Sequence, residues 1–168
     1  MEKKFILTDK FVINSFGIKL FQIKCTKSFK YAQKGDFGGY VEKEGNLDQE
    51  NDAWVFGNAR VFGNARVSSN AWVSGDARVS GNAWVSGNAD IENDNEHCGF
   101  DGFGSCNRHT HAYMTKEKKV EIICGCFRGS IEEFEKKVEE THSGTVYEKQ
   151  YKSIINVIKI KFGLTDFT

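Results

Sequence analysis

The sequence contains no proline and no apolar segment approaching the roughly 20 residues that cross a bilayer. Its first residues, MEKKFILTDK, lack the apolar core of a secretory signal peptide. Cysteine occurs in an odd number, five, which favours free thiols over a disulfide framework. These absences predict a cytoplasmic protein without a membrane partner.

Net charge is absent as well, since 23 basic side chains balance 23 acidic ones. A neutral chain generates no long-range field that would attract a polyanion. We therefore expect no long nucleic acid among its partners. The length of 168 residues leaves room for one or two domains of ordinary size.

Glycine, in contrast, is plentiful, and residues 53–88 have a period of six: AWVFGN, ARVFGN, ARVSSN, AWVSGD, ARVSGN, AWVSGN. A short fixed period is typical of a solenoid built from stacked units. Within each unit, Ala and Val are two residues apart and share one side of a short strand, while the Trp or Arg between them points outward. The Gly-Asn pair then tolerates the positive φ of a tight corner. We expect the valines to line the interior.

A second, longer period of three hexads predicts three strands per coil. Trp54 should then stack with Trp72 on one outer face, because neighbouring strands are about 4.8 Å apart. Corner side chains should stack between coils in the same way. The expected corner pairs are Asn58–Asp76, Asn64–Asn82 and Asn70–Asn88.

The repeat resembles the hexapeptide-repeat left-handed parallel β-helix family, whose motif combines an aliphatic residue, a turn and a small residue. The left hand comes from that resemblance alone, since parallel crossovers are generally right-handed. The family also implies a homo-oligomer, with a trimer favoured. The run KGDFGGYVEKEGNL followed by DAWVFGNARV is similar to hexapeptide proteins of bacteriophages and prophages, some of them polymer-forming. That similarity implies a viral protein in the host cell cytoplasm.

The predicted fold is mainly β. Residues 1–34, with a turn at Gly17, are expected to form an N-terminal β cap over the open end of the solenoid. Residues 35–95 are expected to form the left-handed β-helix, in which Phe37, Val41 and Leu47 continue the inner positions.

Residues 96–168 are predicted to form a small α+β domain, a hairpin followed by two helices (ββαα). The hairpin strands are HTHAYMT and KVEIICGCF, joined by a turn at 116–118. Ser130 with Glu133, and Thr145 with Glu148, have the spacing of capping boxes at helix starts. The segment GCFRGS followed by EEFEKKVEETH resembles a tail found on some of the same phage proteins, and this resemblance implies no chemistry.

The hairpin contains a candidate zinc site. If the lysines at 116 and 119 pair, His111 lies opposite Cys124 and His109 lies opposite Cys126, with opposed Cβ atoms about 4.5–5.5 Å apart. Four such ligands on one face suit zinc. The alternative is core packing without any cofactor, because buried cysteine behaves as a small hydrophobe and Ile122 lies on the same face.

The glycine-rich segment 98–109 is a candidate anion site, because successive backbone N–H groups can form a nest that holds phosphate. The alternative is a plain linker. The candidate ligand-binding residues in and near this segment are Ser105, Asn107, Arg108, His109, His111 and Arg128.

The outward Trp and Arg residues of the repeat form a candidate interface, since both residue types are enriched where proteins associate. A row of exposed indole rings would also form an apolar patch of the kind that marks an interaction site. We expect the homo-oligomer interface to include Trp54, Trp72, Trp84, Arg60, Arg66 and Arg78.

These features predict a phage-type, non-catalytic, oligomeric binding protein that captures a host factor or a small phosphorylated or nucleotide signal, in counter-defence. No residue is assigned a catalytic role. One alternative is an enzyme. Hexapeptide acyltransferases use a histidine base on a coil loop, whereas residues 35–94 contain no histidine; a metal-assisted hydrolase would use the His/Cys face. The other alternative is a purely structural, polymer-forming or virion-associated protein.

Overall fold

Two kinds of sequence produce the strands of the N-terminal unit, which ends at Asp94 in the computed structural model of residues 2–164. Alternating segments before residue 42 form β1 (Phe5–Ile13), β2 (Lys19–Cys25) and β3 (Phe37–Val41). The hexads form two-residue strands: β4 (Trp54–Val55), β5 (Arg60–Val61), β6 (Arg66–Val67), β7 (Trp72–Val73), β8 (Arg78–Val79), β9 (Trp84–Val85) and β10 (Asp90–Ile91). Short 3-10 turns lie at Glu44–Asn46 and Asp94–Glu96.

The two-residue strands stack in three parallel walls, because each pairs with the strand three hexads further along the chain. Wall 1 contains β4, β7 and β10, and Trp54 pairs there with Trp72 as predicted. Wall 2 contains β3, β5 and β8, and wall 3 contains β6 and β9, with Leu47 bridged to Val67. The valines of all six hexads are at most 1% exposed, so the prediction that they line the interior is confirmed.

Corner side chains connect successive coils. Asn58 Nδ2 donates to Asp76 Oδ1 over 3.4 Å, and Asn64 Nδ2 donates to Asn82 Oδ1 over 3.3 Å, as predicted from the second period. The third corner is joined through the backbone N–H of Asn70, which donates over 3.1 Å to the carbonyl of the next coil. These bonds satisfy polar groups between the coils.

The first coil is longer than the others, which corrects one predicted inner position. Val41 pairs with Val61 and Leu47 is bridged to Val67. In both pairs the two residues are further apart along the chain than the three hexads that separate the later stacked pairs, and by the same number of residues. Both side chains are buried, as predicted. Phe37 is instead 58% exposed. It was placed inside because it precedes Val55 by three hexads, and the longer first coil does not follow that spacing.

The start of the chain bonds to this first coil through polar side chains. Lys4 Nζ donates to the carbonyls of Asn51 (2.8 Å) and Ala53 (2.9 Å). Gln49 Oε1 accepts from the N–H groups of Lys4 (2.9 Å) and Phe5 (3.2 Å), and Gln49 Nε2 donates to the Phe5 carbonyl (3.1 Å). The Gln49 amide therefore pairs with the backbone much as a neighbouring strand would. The antiparallel β1–β2 hairpin extends wall 2 through β3.

Aromatic side chains from the N-terminal segment cover the outside of wall 1. Trp54 is 0% exposed, with ring centroids of Phe5 and Phe29 at 6.2 and 5.4 Å. Trp72 is half-buried, with Tyr31 at 5.1 Å. The expectation of an exposed Trp54 is therefore wrong, because residues much earlier in the chain fold back over it.

The C-terminal unit, from Asn95 on, is an antiparallel sheet with two helices packed on one face. Its strands are β11 (His97–Phe103), β12 (Arg108–Met114), β13 (Val120–Cys124) and β14 (Phe127–Gly129), in that order across the sheet. The helices are α1 (Ile131–His142) and α2 (Val146–Lys161). The two C-terminal helices are as predicted, whereas the sheet has four strands rather than two. Neither helix within residues 2–164 is long and apolar enough to cross a membrane.

The β12–β13 hairpin has a different register from the predicted one. His111 pairs with Ile123 rather than with Cys124. The loop contains three residues, the last of which, Lys118, has a φ of +55°. Loops of two or four residues give the predicted register, whereas a three-residue loop shifts it by one. A shift of one residue moves every side chain to the opposite face.

Local capping signals place both helix starts correctly. Ser130 Oγ accepts from the Glu133 N–H (3.2 Å) and Glu133 Oε2 accepts from the Ser130 N–H (2.8 Å), so this capping box is confirmed. Thr145 caps α2 in the same way, but Glu148 Oε2 accepts from the N–H of Gly144, one residue earlier than expected (2.7 Å).

Burial lowers the pKa of Lys4 from 10.5 to about 8, an effect that the carboxylates of Asp48 and Asp52 oppose. Because the folded-state pKa lies below the unfolded one, the unfolded chain binds more protons between about pH 8 and 10.5. The free energy of unfolding of the N-terminal unit should therefore gain a contribution from Lys4 as pH rises through this window.

The test is denaturation followed by tryptophan emission, since all three tryptophans lie in the N-terminal unit. The difference in unfolding free energy between the native protein and Lys4→Met should grow in favour of the native protein as pH rises from 8 to 10. Lys3→Met, which alters an exposed neighbouring amine, is the matched control. An equal pH dependence in both variants would contradict the prediction.

Candidate functional site

The C-terminal sheet separates the predicted ligand-binding residues. Alternate residues of a strand point to opposite faces, and the helices cover only one face. Arg108 belongs to the helix face, while Ser105 and Asn107 lie in the turn between β11 and β12. The opposite face, here the histidine face, carries the other three: His109, His111 and Arg128.

Histidines on this face contact one another and a carboxylate. His97 Nδ1 lies 3.1 Å from His111 Nε2, and His109 Nδ1 lies 2.8 Å from Asp101 Oδ1. Cys124 is on the helix face, so the predicted zinc ligands do not share one side of the sheet. Residues 2–164 contain no cluster of three or more His, Cys, Asp or Glu side chains placed to hold a metal ion.

Arg128 is engaged by a carboxylate of the same face. Its Nε donates to Glu121 Oε1 over 2.8 Å, and the Tyr113 hydroxyl donates to the same oxygen. The Arg128 charge is therefore already compensated, which makes it a poor anchor for an anionic ligand.

The glycine-rich segment forms β11 and a tight turn rather than an anion nest. The Gly104 N–H donates to Gln150 Oε1 over 3.0 Å, and the Asn107 N–H donates to the Gly104 carbonyl over 3.3 Å. Both N–H groups are thus used inside the unit. These two N–H groups are therefore not available to the backbone nest predicted at 98–109.

Arg108 instead contributes to a pocket between the end of the sheet and α1. The pocket has a volume of about 120 Å³. The lining residues are Arg108, Cys124, Cys126, Phe127, Phe134, Lys137, Val138, Thr141, His142 and Tyr151.

A glycine allows Arg108 to reach this position. Gly125, in the β13–β14 turn, has a φ of +60°, and a Cβ placed there would lie 2.6 Å from Arg108 Nη1. The guanidinium therefore rests directly on the Gly125 backbone. Among residues 2–164, Arg108 forms no ion pair with a carboxylate within 4.0 Å, so its charge is available to a ligand.

The electrostatic character of the Arg108 pocket is basic. Lys137 and His142 join Arg108 in the lining, and no carboxylate is among the described lining residues. Lys137 is 3.7 Å from Glu140 at an exposed position, a pair of little energetic consequence. Phosphate, sulfate or carboxylate groups are the ligands that such a lining favours.

The pocket lining also includes neutral hydrogen-bonding groups. Burial, followed by the hydrogen bond to Cys124, raises the pKa of Tyr151, so that its hydroxyl remains a proton donor at neutral pH. Cys124 Sγ lies 3.7 Å from that hydroxyl and accepts from Thr110 Oγ1 over 3.3 Å. Cys124 therefore behaves as the packing residue that the alternative interpretation proposed.

Arg108 was predicted as a ligand-binding residue from the sequence, whereas its helical neighbours in the pocket were not. Lys137 and Thr141 are one helical turn apart and flank the apolar stripe of Phe134 and Val138. Helical spacing could have shown that the pair shares an edge of the stripe, but only the sheet packing shows that this edge faces Arg108.

The outer residues of the solenoid have unequal exposure. Trp54 is buried and Trp72 is stacked on Phe56 at 3.9 Å, whereas Trp84 remains 48% exposed. Arg60 is half-buried. Arg66 is exposed, and Arg78 donates from Nε to Asp94 Oδ2 over 3.0 Å. The predicted interface set is therefore not one continuous exposed row.

The role of Gly125 predicts a specific effect of substitution. Gly125→Ala and the control Gly144→Ala both place a side chain at positive φ (+60° and +74°), but only Gly144 has open space around it. Each should lose about 1–2 kcal/mol of stability from backbone strain. Only Gly125→Ala should displace Arg108, detected as a shifted Arg108 Nε–Hε NMR signal. An unchanged signal in Gly125→Ala would contradict the geometry.

Comparison with known families agrees with the solenoid. A family model described as the YdcK beta solenoid repeat matches three overlapping segments, residues 53–69, 59–75 and 71–87. No curated protein matches the chain significantly. The matched segments contain strands of all three walls and extend to no residue of the C-terminal unit, so the similarity supports a repeat β-solenoid for this part of the chain.

Proposed function

We propose that this protein is a non-catalytic binding protein that recognises a small phosphorylated ligand through the Arg108 pocket. One observation carries the proposal: three basic side chains and two hydroxyl groups line the pocket, with no carboxylate among the described lining residues. An arginine guanidinium can hold two phosphate oxygens at once, and lysine adds a compact positive charge. The hydroxyls of Thr141 and Tyr151 supply further donors.

The size of the pocket limits what can enter it. Its volume of about 120 Å³ is well below the roughly 300–1,000 Å³ of sites that enclose a drug-sized ligand. The pocket therefore suits a single phosphate group, and the remainder of the ligand would lie outside on the exposed surface around Cys126 and Arg108.

The cellular role that we propose is capture. The resemblance of the repeat and of the tail to phage proteins supports a phage-type protein in the host cytoplasm that holds a phosphorylated or nucleotide signal, or a host factor, and so inhibits host defence. In this proposal the scaffold is a left-handed hexapeptide β-helix, with the β1–β2 hairpin as its N-terminal cap. The pairing of the first coil with Lys4 and Phe5 supports the cap.

Binding by calorimetry tests the proposal, with inorganic phosphate, nucleoside monophosphates and cyclic dinucleotides as probes. Arg108→Ala should weaken any phosphate-dependent binding at least about tenfold, because a charge-assisted hydrogen bond contributes about 1.5–3 kcal/mol. Arg128→Ala is the matched control, since Arg128 bonds Glu121 on the opposite face. No response to any probe, or equal losses in both variants, would refute the assignment of the pocket.

Self-association is a further part of the proposal, with a trimer favoured by the family resemblance. The hairpin exposes apolar side chains that a second copy would cover, among them Ile13 (59% exposed) and Phe16 (77% exposed).

Light scattering should give a closed species at three times the chain mass of 19.0 kDa. Substituting Ser for both Ile13 and Phe16 should lower that mass towards the monomer. Open-ended fibres would instead favour the structural, polymer-forming alternative, and a monomeric native protein would refute self-association.

A further inference from the structure

Two elements of the C-terminal unit each bring a positive charge to the Arg108 pocket. Arg108 is the first residue of β12, and Lys137 lies in the middle of α1. Both line a pocket of about 120 Å³, and no carboxylate is among its described lining residues. A group that fills so small a volume meets both charges. A ligand with a single negative charge would therefore leave part of this positive charge uncompensated.

Little within the unit neutralises these two charges. Arg108 forms no ion pair with a carboxylate among residues 2–164. Lys137 Nζ lies 3.7 Å from Glu140 Oε2, but the two side chains are 59% and 53% exposed, so solvent screens the pair. Most of the positive charge of the pocket thus remains for a ligand.

His142 adds a nitrogen donor whose ring is held by two tyrosines. Its ring centroid lies 5.5 Å from that of Tyr151, at an interplanar angle of 27°, and 5.9 Å from that of Tyr147. These contacts restrict the orientation of the imidazole. Because a neutral imidazole keeps one N–H and a protonated one has two, His142 can donate a hydrogen bond in either state.

The remaining side chains of the lining are largely apolar. Phe127, Phe134 and Val138 offer no polar group to a ligand, and the centroids of the two phenyl rings are 5.0 Å apart. Opposite charges attract more strongly in surroundings of low polarity than in open water. A second negative charge on the ligand therefore contributes more in this pocket than it would on an exposed surface.

These features distinguish two classes of phosphate ligand. A phosphomonoester carries about 1.5 to 2 negative charges at neutral pH and three terminal acceptor oxygens, whereas a phosphodiester carries a single charge and fewer terminal oxygens. The monoester therefore matches the two basic side chains in charge. A diester also carries a second carbon substituent, for which about 120 Å³ leaves little room beside the phosphate.

We infer that the Arg108 pocket selects terminal phosphomonoesters over phosphodiesters, with Arg108 and Lys137 together compensating the dianion. This inference rests on the proposed phosphate-binding function and narrows its ligand. A nucleotide with a free terminal phosphate belongs to the selected class. Cyclic dinucleotides, whose phosphates are diesters, fall outside it.

Phenyl phosphate and phenyl sulfate test the second charge, because the two esters have nearly the same shape and the sulfate is a monoanion. Calorimetry of the full chain at pH 8, above the second pKa of the phosphate at about 6, should show phenyl phosphate binding at least about tenfold more tightly. At pH 5, where phenyl phosphate is mostly a monoanion, the ratio of the two affinities should fall towards one. Diphenyl phosphate should bind no better than phenyl sulfate.

Lys137→Gln should reduce the preference for phenyl phosphate over phenyl sulfate at least about threefold at pH 8, because it removes one of the two charges. Lys136→Gln is the matched control, since it removes the same charge from the adjacent exposed residue, which is not among the described lining residues. The preference should be unchanged in this control. Arg108→Ala should weaken the binding of both esters.

The inference and the proposed function fail in different ways. Equal affinities for phenyl phosphate and phenyl sulfate at pH 8, both lost in Arg108→Ala, would overturn the selectivity and leave an anion pocket in place. Diphenyl phosphate binding as tightly as phenyl phosphate would overturn it as well. Equal loss of preference in Lys136→Gln and Lys137→Gln would overturn the role of Lys137. Binding of no probe would refute the proposed function and the inference together.

Discussion

The stacking of successive coils in strict register is the constraint on which the N-terminal unit depends. Each hexad contributes only two strand residues, so no unit is stable alone, and the N–H groups on either side of each inner valine bond to carbonyls of the next coil. The Trp54 N–H donates to the Ala71 carbonyl (3.1 Å) and the Phe56 N–H to the Val73 carbonyl (2.8 Å). These bonds hold Ala and Val inside, and they place every outer residue at a fixed distance from those one coil away.

That constraint explains why the interior could be predicted from the sequence while the covering of the exterior could not. A valine at every sixth position requires only local geometry, and the expected burial and the pairing of Trp54 with Trp72 are both observed. The burial of Trp54 depends on Phe5 and Phe29, whose approach is long-range and leaves no periodic signal. The longer first coil has the same origin, since its Gln49 pairs with Phe5.

In the C-terminal unit too, local features could be predicted from the sequence and features that depend on long-range packing could not. Capping residues such as Ser130 act within one helical turn, so the helix starts were predictable. The register of the β12–β13 hairpin depends on whether its loop has an odd or an even number of residues. The loop has three, the last of which is Lys118 in a left-handed conformation. That single residue separates the expected zinc ligands. Arg108 was predicted as a candidate ligand-binding residue without its pocket neighbours Lys137 and His142, because only the tertiary packing brings those two residues near it.

The relation between the residue after each inner valine and the outer side chain of the next coil gives the solenoid an unusual freedom. Phe56 stacks on the indole of Trp72 and Ser68 accepts a hydrogen bond from the indole of Trp84, yet Val55 and Val67 beneath them are both buried. Point changes at these outer positions can therefore rewrite what a wall presents to its surroundings while the hydrophobic column inside stays as it is. Such a scaffold lets recognition properties diverge one coil at a time, with little cost in foldability.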